Sequence, residues 1–510
     1  MRSTLAMLAV AVLGCGSAPG AAPFLAEPYL QNLKPTGITV MWELGTVRAG
    51  TVEYGVDTGY GQSAAAASVS SGFSAHVYKC VLTGLNPATT YHYRASLDGV
   101  DFSADSTFTT APGTAVPFVF DVWGDSQATN NNHYPPDPYE PTNSMMRHMA
   151  QGGSAFAVAA GDMAEDGDEY TPTHLYYLDR VARHLGPTVP WFVAWGNHDR
   201  TKSAVIRKFA DMPSRERAGF TSGWGSYSVD HAGCHFICID NDTMENDVLT
   251  WLVSDLQSEA NRAAKFTFLF IHVPPYAELW RDGEASLRTV LVPLMEQYGV
   301  DACFSGHIHE YERGYQRGIH YCVSGGGSRL GLGNALTVDW PQLTVGGYRD
   351  LPGRRGGLVN EYVRVEVTED AWTAAMHAFD FDGTYLGVLD RFGSAISQGD
   401  ADGDGLTDGD EAHTFHTDPA VADTDRDGLT DRDEIDGVRG YKTDPLQADS
   451  DQDGVSDYHE ILYGSNPLDP RSVVAVPLGG FAGAAFLAML LCAIGMRKIR
   501  PWITQLMVGS

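Results

Sequence analysis

Five stretches of the chain share one pattern: a short apolar, β-rich run ending in a small polar cluster. They are Phe118–Gln127 (FVFDVWGDSQ), Phe156–Asp162 (FAVAAGD), Trp191–Asp199 (WFVAWGNHD), Phe266–His272 (FTFLFIH), and Val300–Phe304 leading into Gly306–Arg313 (GHIHEYER). Short continuous apolar runs bounded by turn residues predict buried strands. Between them, apolar positions at helical spacing predict helices over Ser144–Gln151, Leu175–Leu185, Asp247–Arg262 and Ser286–Tyr298. Strands alternating with helices predict an α/β unit over Val116–Phe392. Each strand would deliver Asp, Asn or His at its carboxyl end, where open α/β sheets place ligands.

Phe24–Pro112 has another rhythm. Short β-type runs, Gly37–Glu43, Gly50–Tyr54, His76–Leu82 and Thr89–Leu97, are separated by turns at the spacing of an all-β sandwich. Between the first two strand blocks of the α/β unit, Thr129–Thr142 is rich in Asn and Pro without an apolar period, which predicts a surface loop near the site mouth. The glycines at Gly325–Gly327 and Gly331–Gly333 have no Lys-Ser/Thr after them, so they do not make a nucleotide-binding P-loop.

The end of the chain repeats itself. Within 398–470, three copies of one pattern follow each other: Asp400, Asp402, Asp404, Asp408, Glu411; Asp423, Asp425, Asp427, Asp431, Glu434; and Asp449, Asp451, Asp453, Asp457, Glu460. Oxygen ligands at loop positions 1, 3, 5, 9 and 12, with Gly405, Gly428 and Gly454 at position 6, match an EF-hand calcium loop. The regular glycines and closing glutamates separate this segment from a merely solvated acidic linker. With the spacers Thr417–Pro419 and Thr443–Pro445 it resembles bacterial thrombospondin type 3 repeats.

Met1–Ala22 carries Arg2, an apolar Leu5–Leu13 and a small-residue end, which predicts a secretory signal peptide and export. Val12-Leu13-Gly14-Cys15 loosely resembles a lipobox, so lipid on Cys15 is the alternative to cleavage near Ala22. Val473–Met496 is uncharged and precedes Arg497-Lys498-Ile499-Arg500. Residues 473–500 therefore predict a transmembrane helix or sorting anchor, with the basic cluster cytoplasmic and the rest of the chain outside.

Length and charge sharpen this reading. A chain of 510 residues with 43% hydrophobic content and ten tryptophans can bury several cores. A net charge of −30 offers phosphates no basic groove, so no nucleic-acid partner is expected. Asp400–Pro470 holds 21 acidic against 4 basic residues, a balance of −17, so over half the excess sits there and its partner is expected to be calcium. Outside the two ends, Cys80, Cys234, Cys238, Cys303 and Cys322 do not form a disulfide framework, and Cys303 is expected to pack as a small hydrophobe.

The chemistry centres on His307 and His309. Two imidazoles two residues apart at a strand end can enter one site if the backbone turns, and Gly306 is expected to supply that turn. Five strand ends offering carboxylate, amide and imidazole suit one or two divalent or trivalent ions of borderline softness, without the thiolates of a structural zinc site.

Gly124-Asp125, Gly161-Asp162, Gly196-Asn197-His198-Asp199, His272 and Gly306-His307-Ile308-His309, continued by Tyr311-Glu312-Arg313, resemble the metallophosphoesterases of the calcineurin-like superfamily, closest to the purple acid phosphatases. The resemblance covers roughly Phe24–Phe392. It implies a β-sandwich flanked by helices behind a smaller N-terminal domain. Leu82–Tyr91, followed by Tyr93 and Ala95, resembles the late strands of fibronectin type III domains, with Trp42 as core tryptophan. One metal would be held by Asp125, Asp162 and His309, the other by Asp162, Asn197, His272 and His307, with Asp162 bridging. The ions would be two divalent or mixed-valence ions of Fe, Zn or Mn. Gln127 would be either a ligand or a hydrogen bonder to a metal-bound carboxylate. His198 would sit by the substrate, and Asp199 would orient it or cap a turn. Tyr276 and His320 are further pocket candidates. Glu165 stands where the purple enzymes carry the iron-binding tyrosine, so purple colour is not expected.

The function these features imply is an exported, surface-anchored phosphoesterase acting on phosphorylated small molecules. It would hydrolyse phosphate monoesters through a two-metal site with a bridging hydroxide. A phosphodiesterase or nucleotide pyrophosphatase is the alternative within the class, and an inactive surface binding protein the alternative outside it.

Overall fold

A computed structural model describes residues 24–472 apart from 72–74, 128–139, 200–204, 214–224, 241–245, 329, 331–335, 339, 341–342 and 347–358. The expected leader and C-terminal anchor lie outside the described residues, as does most of the Asn- and Pro-rich loop. Among the described residues no helix is long and apolar enough to cross a membrane.

The α/β unit consists of two facing sheets. The larger has ten strands in the order Tyr385–Phe392, Trp372–Phe379, Asn360–Val367, Phe118–Trp123, Phe156–Ala159, Trp191–Val193, Phe24–Lys34, Gly37–Leu44, His76–Thr83 and Ala67–Ser70. The second has seven, ordered Tyr227–His231, Cys234–Ile239, Thr267–Ile271, Ala302–Ser305, Ile319–Ser324, Tyr311–Gln316 and Leu343–Val345. Their inner faces meet in an aromatic core, with the Phe120 ring 5.2 Å from both Phe236 and Phe268. Rings at such spacings add roughly 0.5–1.5 kcal/mol per pair beyond the area they bury. All five apolar runs read from the sequence are strands. Phe118–Trp123, Phe156–Ala159 and Trp191–Val193 run parallel in the first sheet. Thr267–Ile271 and Ala302–Ser305 run parallel in the second.

The sandwich at the N-terminus is not a separate bead. Its strand Phe24–Lys34 pairs in parallel with Trp191–Val193 through Gln31 and Trp191, so one sheet crosses from one unit into the other. The opposite layer is a five-stranded sheet containing Gly50–Gly55 and Thr90–Leu97. Trp42 is fully buried and stacks on Tyr78 at 5.2 Å. The helices Glu140–Gln151 and Ala285–Tyr298 appear where the periodicity places them. The expected helix Asp247–Arg262 is two, Asn246–Leu256 and Glu259–Ala263, because Ser258 caps the second by accepting from the Asn261 N–H. The helix expected over Leu175–Leu185 starts earlier, as a π-turn over Thr173–Leu178 that continues into Asp179–His184. Cys80, Cys234, Cys238, Cys303 and Cys322 are free and buried, and Cys303 packs in the second hydrophobic core.

The first acidic repeat packs against Tyr385–Phe392, the edge strand of the larger sheet, and reaches Arg313 of the second. Arg313 is 2% exposed and its guanidinium meets Asp390 at 2.8 Å and Asp410, inside the first repeat, at 2.7 Å. Thr414 of the same repeat donates to Asp390 at 2.6 Å. Removing one partner from a buried ion pair strands the other charges, at a cost of about 3–5 kcal/mol. Arg313→Ala is therefore expected to destabilise the chain by about that much, read as a fall in the denaturant midpoint. A midpoint within experimental error of the parent would show that this network does not hold the repeats in place.

Candidate metal centre

The five strand ends converge. Asp125, Asp162 and His272 are buried, His307 is 8% exposed, and ligand atoms of Asp162, His272 and His307 lie within 4.8 Å of one another. His309 Nε2 is 3.4 Å from Asp125 Oδ1, and His272 Nε2 is 3.2 Å from Asp162 Oδ2. His272 spends Nδ1 on the Ala160 carbonyl at 2.8 Å, which leaves Nε2 to face the site. That arrangement fixes the tautomer a metal-ligating histidine needs. Asp125 Oδ1, Asn197 Oδ1, His272 Nε2 and His307 Nε2 are buried without a hydrogen-bond partner. Such orphaned atoms are costly in an apolar interior, and a cation among them removes the cost.

The charges tell the same story. Burial works against a proton on His272, but Asp162 and Asp125 outweigh it and hold the imidazole up at about 10. Burial, with His272 beside it, pushes His307 down to about 3. Burial likewise drives the Asp125 carboxyl upward, opposed by His272 and His309. The buried carboxylates thus demand positive charge, and the residues present fit metal ions in that role.

The backbone is bent to achieve this. Asp125, Asp162 and His307 adopt left-handed conformations, with φ of 54°, 51° and 70°. The turn expected of Gly306 is made by His307 itself. Gly306 is there for space: a Cβ on it would come within 2.4 Å of Asp125 Oδ2 and 2.8 Å of the Ala160 carbonyl. The bends are held by hydrogen bonds, since Asp125 Oδ2 accepts from the His307 N–H at 2.8 Å and Asp162 Oδ1 from the His198 N–H at 2.9 Å.

Asp199 differs from the catalytic reading. It is fully buried, and its carboxylate accepts from the backbone N–H groups of Asp162, Met163, Ala164 and Gly196 at 2.8–3.1 Å. It clamps the loop that carries Asp162. Burial, with the Asp162 charge, pushes its carboxyl up to about 7 against the pull of those donors. His198 is instead oriented by the Glu165 carbonyl, which accepts at 2.9 Å from Nδ1. Gln127 Nε2 donates to Asp162 Oδ2 at 3.3 Å, while its Oε1 is buried without a partner. His320 and Tyr276 are not in the pocket. His320 packs between Tyr315, Trp372 and Phe392, and Tyr276 sits edge-on to Tyr321 at 5.0 Å.

The three acidic loops also have a shared geometry. In each, the position 1 aspartate accepts from the position 6 glycine N–H, as in Gly405 to Asp400, Gly428 to Asp423 and Gly454 to Asp449. Asp400, Asp402 and Asp404 bring carboxylate oxygens within 4.8 Å of one another, as do Asp423, Asp425 and Asp427, and Asp449, Asp451 and Asp453. At positions 3 and 12 an oxygen of Asp402, Glu411, Asp425, Glu434, Asp451 and Glu460 is buried without a partner. Position 9 behaves differently from the sequence expectation. Asp408, Asp431 and Asp457 use one oxygen on a position 2 N–H and the other on a nearby hydroxyl, so they brace the loop.

Comparison with known proteins agrees with this arrangement. Residues 120–311 match the calcineurin-like phosphoesterase family, 27–110 the purple acid phosphatase N-terminal domain, and 400–422 and 449–470 the bacterial TSP3 repeat. Over residues 27–311 the chain is similar to the purple acid phosphatases. Purple acid phosphatase 22 of Arabidopsis thaliana is 28% identical over 309 residues, covering 56% of this chain and 66% of that one. Fe(3+)-Zn(2+) purple acid phosphatase 12 of the same plant is 24% identical, covering 55% and 63%. The alignments thus span slightly less than two thirds of these relatives' length. Among solved structures, purple acid phosphatase PPD1 from yellow lupin (Lupinus luteus) seeds shares the fold at a TM-score of 0.56 and 16% identity, covering 72% of this chain and 73% of that one. The N-terminal sandwich is matched as the purple acid phosphatase N-terminal domain, and it includes Leu82–Tyr91, the stretch that resembles the late strands of fibronectin type III domains.

Gly306→Ala places a methyl group against Asp125 and the Ala160 carbonyl. The purified variant is expected to keep its far-ultraviolet circular dichroism but to lose most of the roughly two metals per chain that a dinuclear site holds. Elemental analysis checks this, and parental metal content in Gly306→Ala would refute the close-approach argument.

Proposed function

We propose that this metal-dependent phosphoesterase hydrolyses phosphate monoesters of small molecules at a two-metal site. The observation that carries the proposal is the ring of partnerless ligand atoms around Asp162. Asp125, Asp162 and His309 would hold one ion, and Asp162, Asn197, His272 and His307 the other, with Gln127 supporting Asp162 through its amide. The ions would be divalent or mixed-valence Fe, Zn or Mn. When bound, such ions supply Lewis acidity and lower the pKa of a shared water. The chain's own part is to position and to move protons. His198, held at Nδ1 by the Glu165 carbonyl, has Nε2 available to a substrate oxygen and would stabilise the transferring group or protonate the leaving one. Asp199 would keep the Asp162 loop at its required angle rather than touch substrate.

p-Nitrophenyl phosphate is expected to be turned over faster than its bis ester, the reverse order favouring the diesterase. His198→Ala is expected to lower kcat by about a hundredfold or more with metal content unchanged. Undiminished kcat would remove His198 from the mechanism.

The three acidic loops would bind calcium through positions 1, 3, 5 and 12, where the partnerless oxygens of Asp402, Glu411, Asp425, Glu434, Asp451 and Glu460 face inward. The middle loop falls outside the residues matched to the repeat family yet has the same geometry. Calorimetry on the full chain is expected to show uptake in the range of about 0.1–1 mM typical of extracellular modules. Glu434→Gln should remove one ion in three; an unchanged stoichiometry would exclude the middle loop. Residues 1–22 and 473–500 support export and surface anchoring through their composition, which would place both metal and calcium sites outside the cell.

A further inference from the structure

Trp280 stands apart from the other tryptophans whose burial is described. Trp42, Trp123, Trp191, Trp195 and Trp372 are fully buried, whereas Trp280 is 44% exposed. It is also held in the left-handed region at φ 66°, a conformation bulky residues avoid. Such strain persists only where the surroundings over-determine it, and it clusters at functional sites. Here they do. Glu312, on the strand that follows His307 and His309, accepts from the Leu279 N–H at 3.2 Å and the Glu278 N–H at 3.1 Å. Leu279 bridges to Leu336, and the Arg281 N–H closes the turn on the Leu279 carbonyl at 2.7 Å.

The strained turn puts the indole at the metal centre's edge. Its centroid lies 5.2 Å from the His307 ring and 6.5 Å from the His309 ring. Arg281 packs its guanidinium 4.5 Å from the indole centroid. Trp280, Arg281 and His307, with Val273, Pro274 and Thr337, line a cavity of about 530 Å³, inside the size range of small-molecule sites. His307 lines the cavity together with Asp282 and Glu284, and Trp280, Val273 and Pro274 supply its apolar and aromatic wall.

The geometry points to Trp280 and Arg281 as the specificity-determining platform of the site, selecting phosphoesters whose leaving group is a planar ring, aryl or nucleobase. This rests on the phosphoesterase reading above. A phosphoryl group at the metals would leave its ester substituent beside the indole. A flat π-system stacks there and a small alkyl group does not. Arg281, packed on the indole, adds positive charge to a lining that also holds Asp282 and Glu284.

The test is binding, so that it survives a failure of turnover. Phenylphosphonate and methylphosphonate are titrated calorimetrically into the manganese-loaded full chain, and p-nitrophenyl phosphate hydrolysis is followed separately. Phenylphosphonate is expected to bind about tenfold tighter or more. Trp280→Ala should bring the ratio to near unity, and Trp280→Phe should keep most of it. A ratio near unity in the parent, or one unchanged in Trp280→Ala, overturns the platform. Equal losses for both ligands in Trp280→Ala also overturn it, because the tryptophan would then only support the fold. Absence of hydrolysis with an intact phenyl preference would overturn the phosphoesterase reading and leave the platform standing.

Discussion

Two buried carboxylates, Asp125 and Asp162, set the terms for the rest of the site. Removing an ionised carboxylate from water costs several kcal/mol even after relaxation, so the surroundings must return positive charge. Among the described residues neither lysine nor arginine stands at hydrogen-bond distance from these two carboxylates. The protein gives imidazoles, with His272 aimed by its bond to the Ala160 carbonyl, and leaves several acceptor atoms partnerless. That arrangement is poor as a self-contained network and good as a cradle for cations. The high proton affinity of His272 has the same origin, since a proton is the smallest cation that can serve the pair.

Aiming those groups requires backbone that ordinary strands and helices do not provide. Three of the groups facing the site sit at positive φ, a cost of order 1–3 kcal/mol each that the native structure must offset elsewhere. Asp199 is the counterweight. Four N–H donors converge on one carboxylate and fix the turn of Asp162 from behind. The glycines complete the fit by their lack of Cβ: one on Gly196 would lie 2.2 Å from Asp162 Oδ1. Three successive residues of the Asn197-His198-Asp199 run therefore have three different jobs, and only their backbone environments tell them apart.

Much of this was legible in the sequence because buried parallel strands are written as continuous apolar runs, and each run here ends in a polar residue that faces the site. The five strand ends and the acidic loops follow from local pattern alone. What local pattern could not carry was long-range geometry. The parallel pairing of Gln31 with Trp191, which fuses two units into one sheet, has no mark in either strand. His320 reads like a site residue and packs among Trp372 and Phe392, because strand alternation turns it into the core. Trp280 lies in a short polar-flanked turn whose only sequence signal is a large aromatic next to Arg281. Asp408, Asp431 and Asp457 occupy ligand positions in the loop pattern but are consumed by hydrogen bonds to the loop itself.

The repeats are tied into the metal site's own framework. Arg313 ends the motif that begins at Gly306, and it is the residue that binds Asp410 of the first loop. Glu411, a closing oxygen of that loop, follows Asp410 directly, and Thr414 reaches Asp390 from the same turn. An ion in the first loop would therefore stiffen the short helix that completes the buried pairing of Arg313. The chain of contacts continues outward, because Asp404 accepts from the Arg432 N–H and Asp427 from the Tyr458 N–H, each loop bracing the helix of the next. Net negative charge concentrated in three adjacent loops would otherwise push them apart. Cations in the loops would oppose that repulsion at one end of the structure, as Arg313 does at the root. The same strand, Tyr311–Gln316, thus carries the end of the histidine motif and the anchor of the acidic repeats.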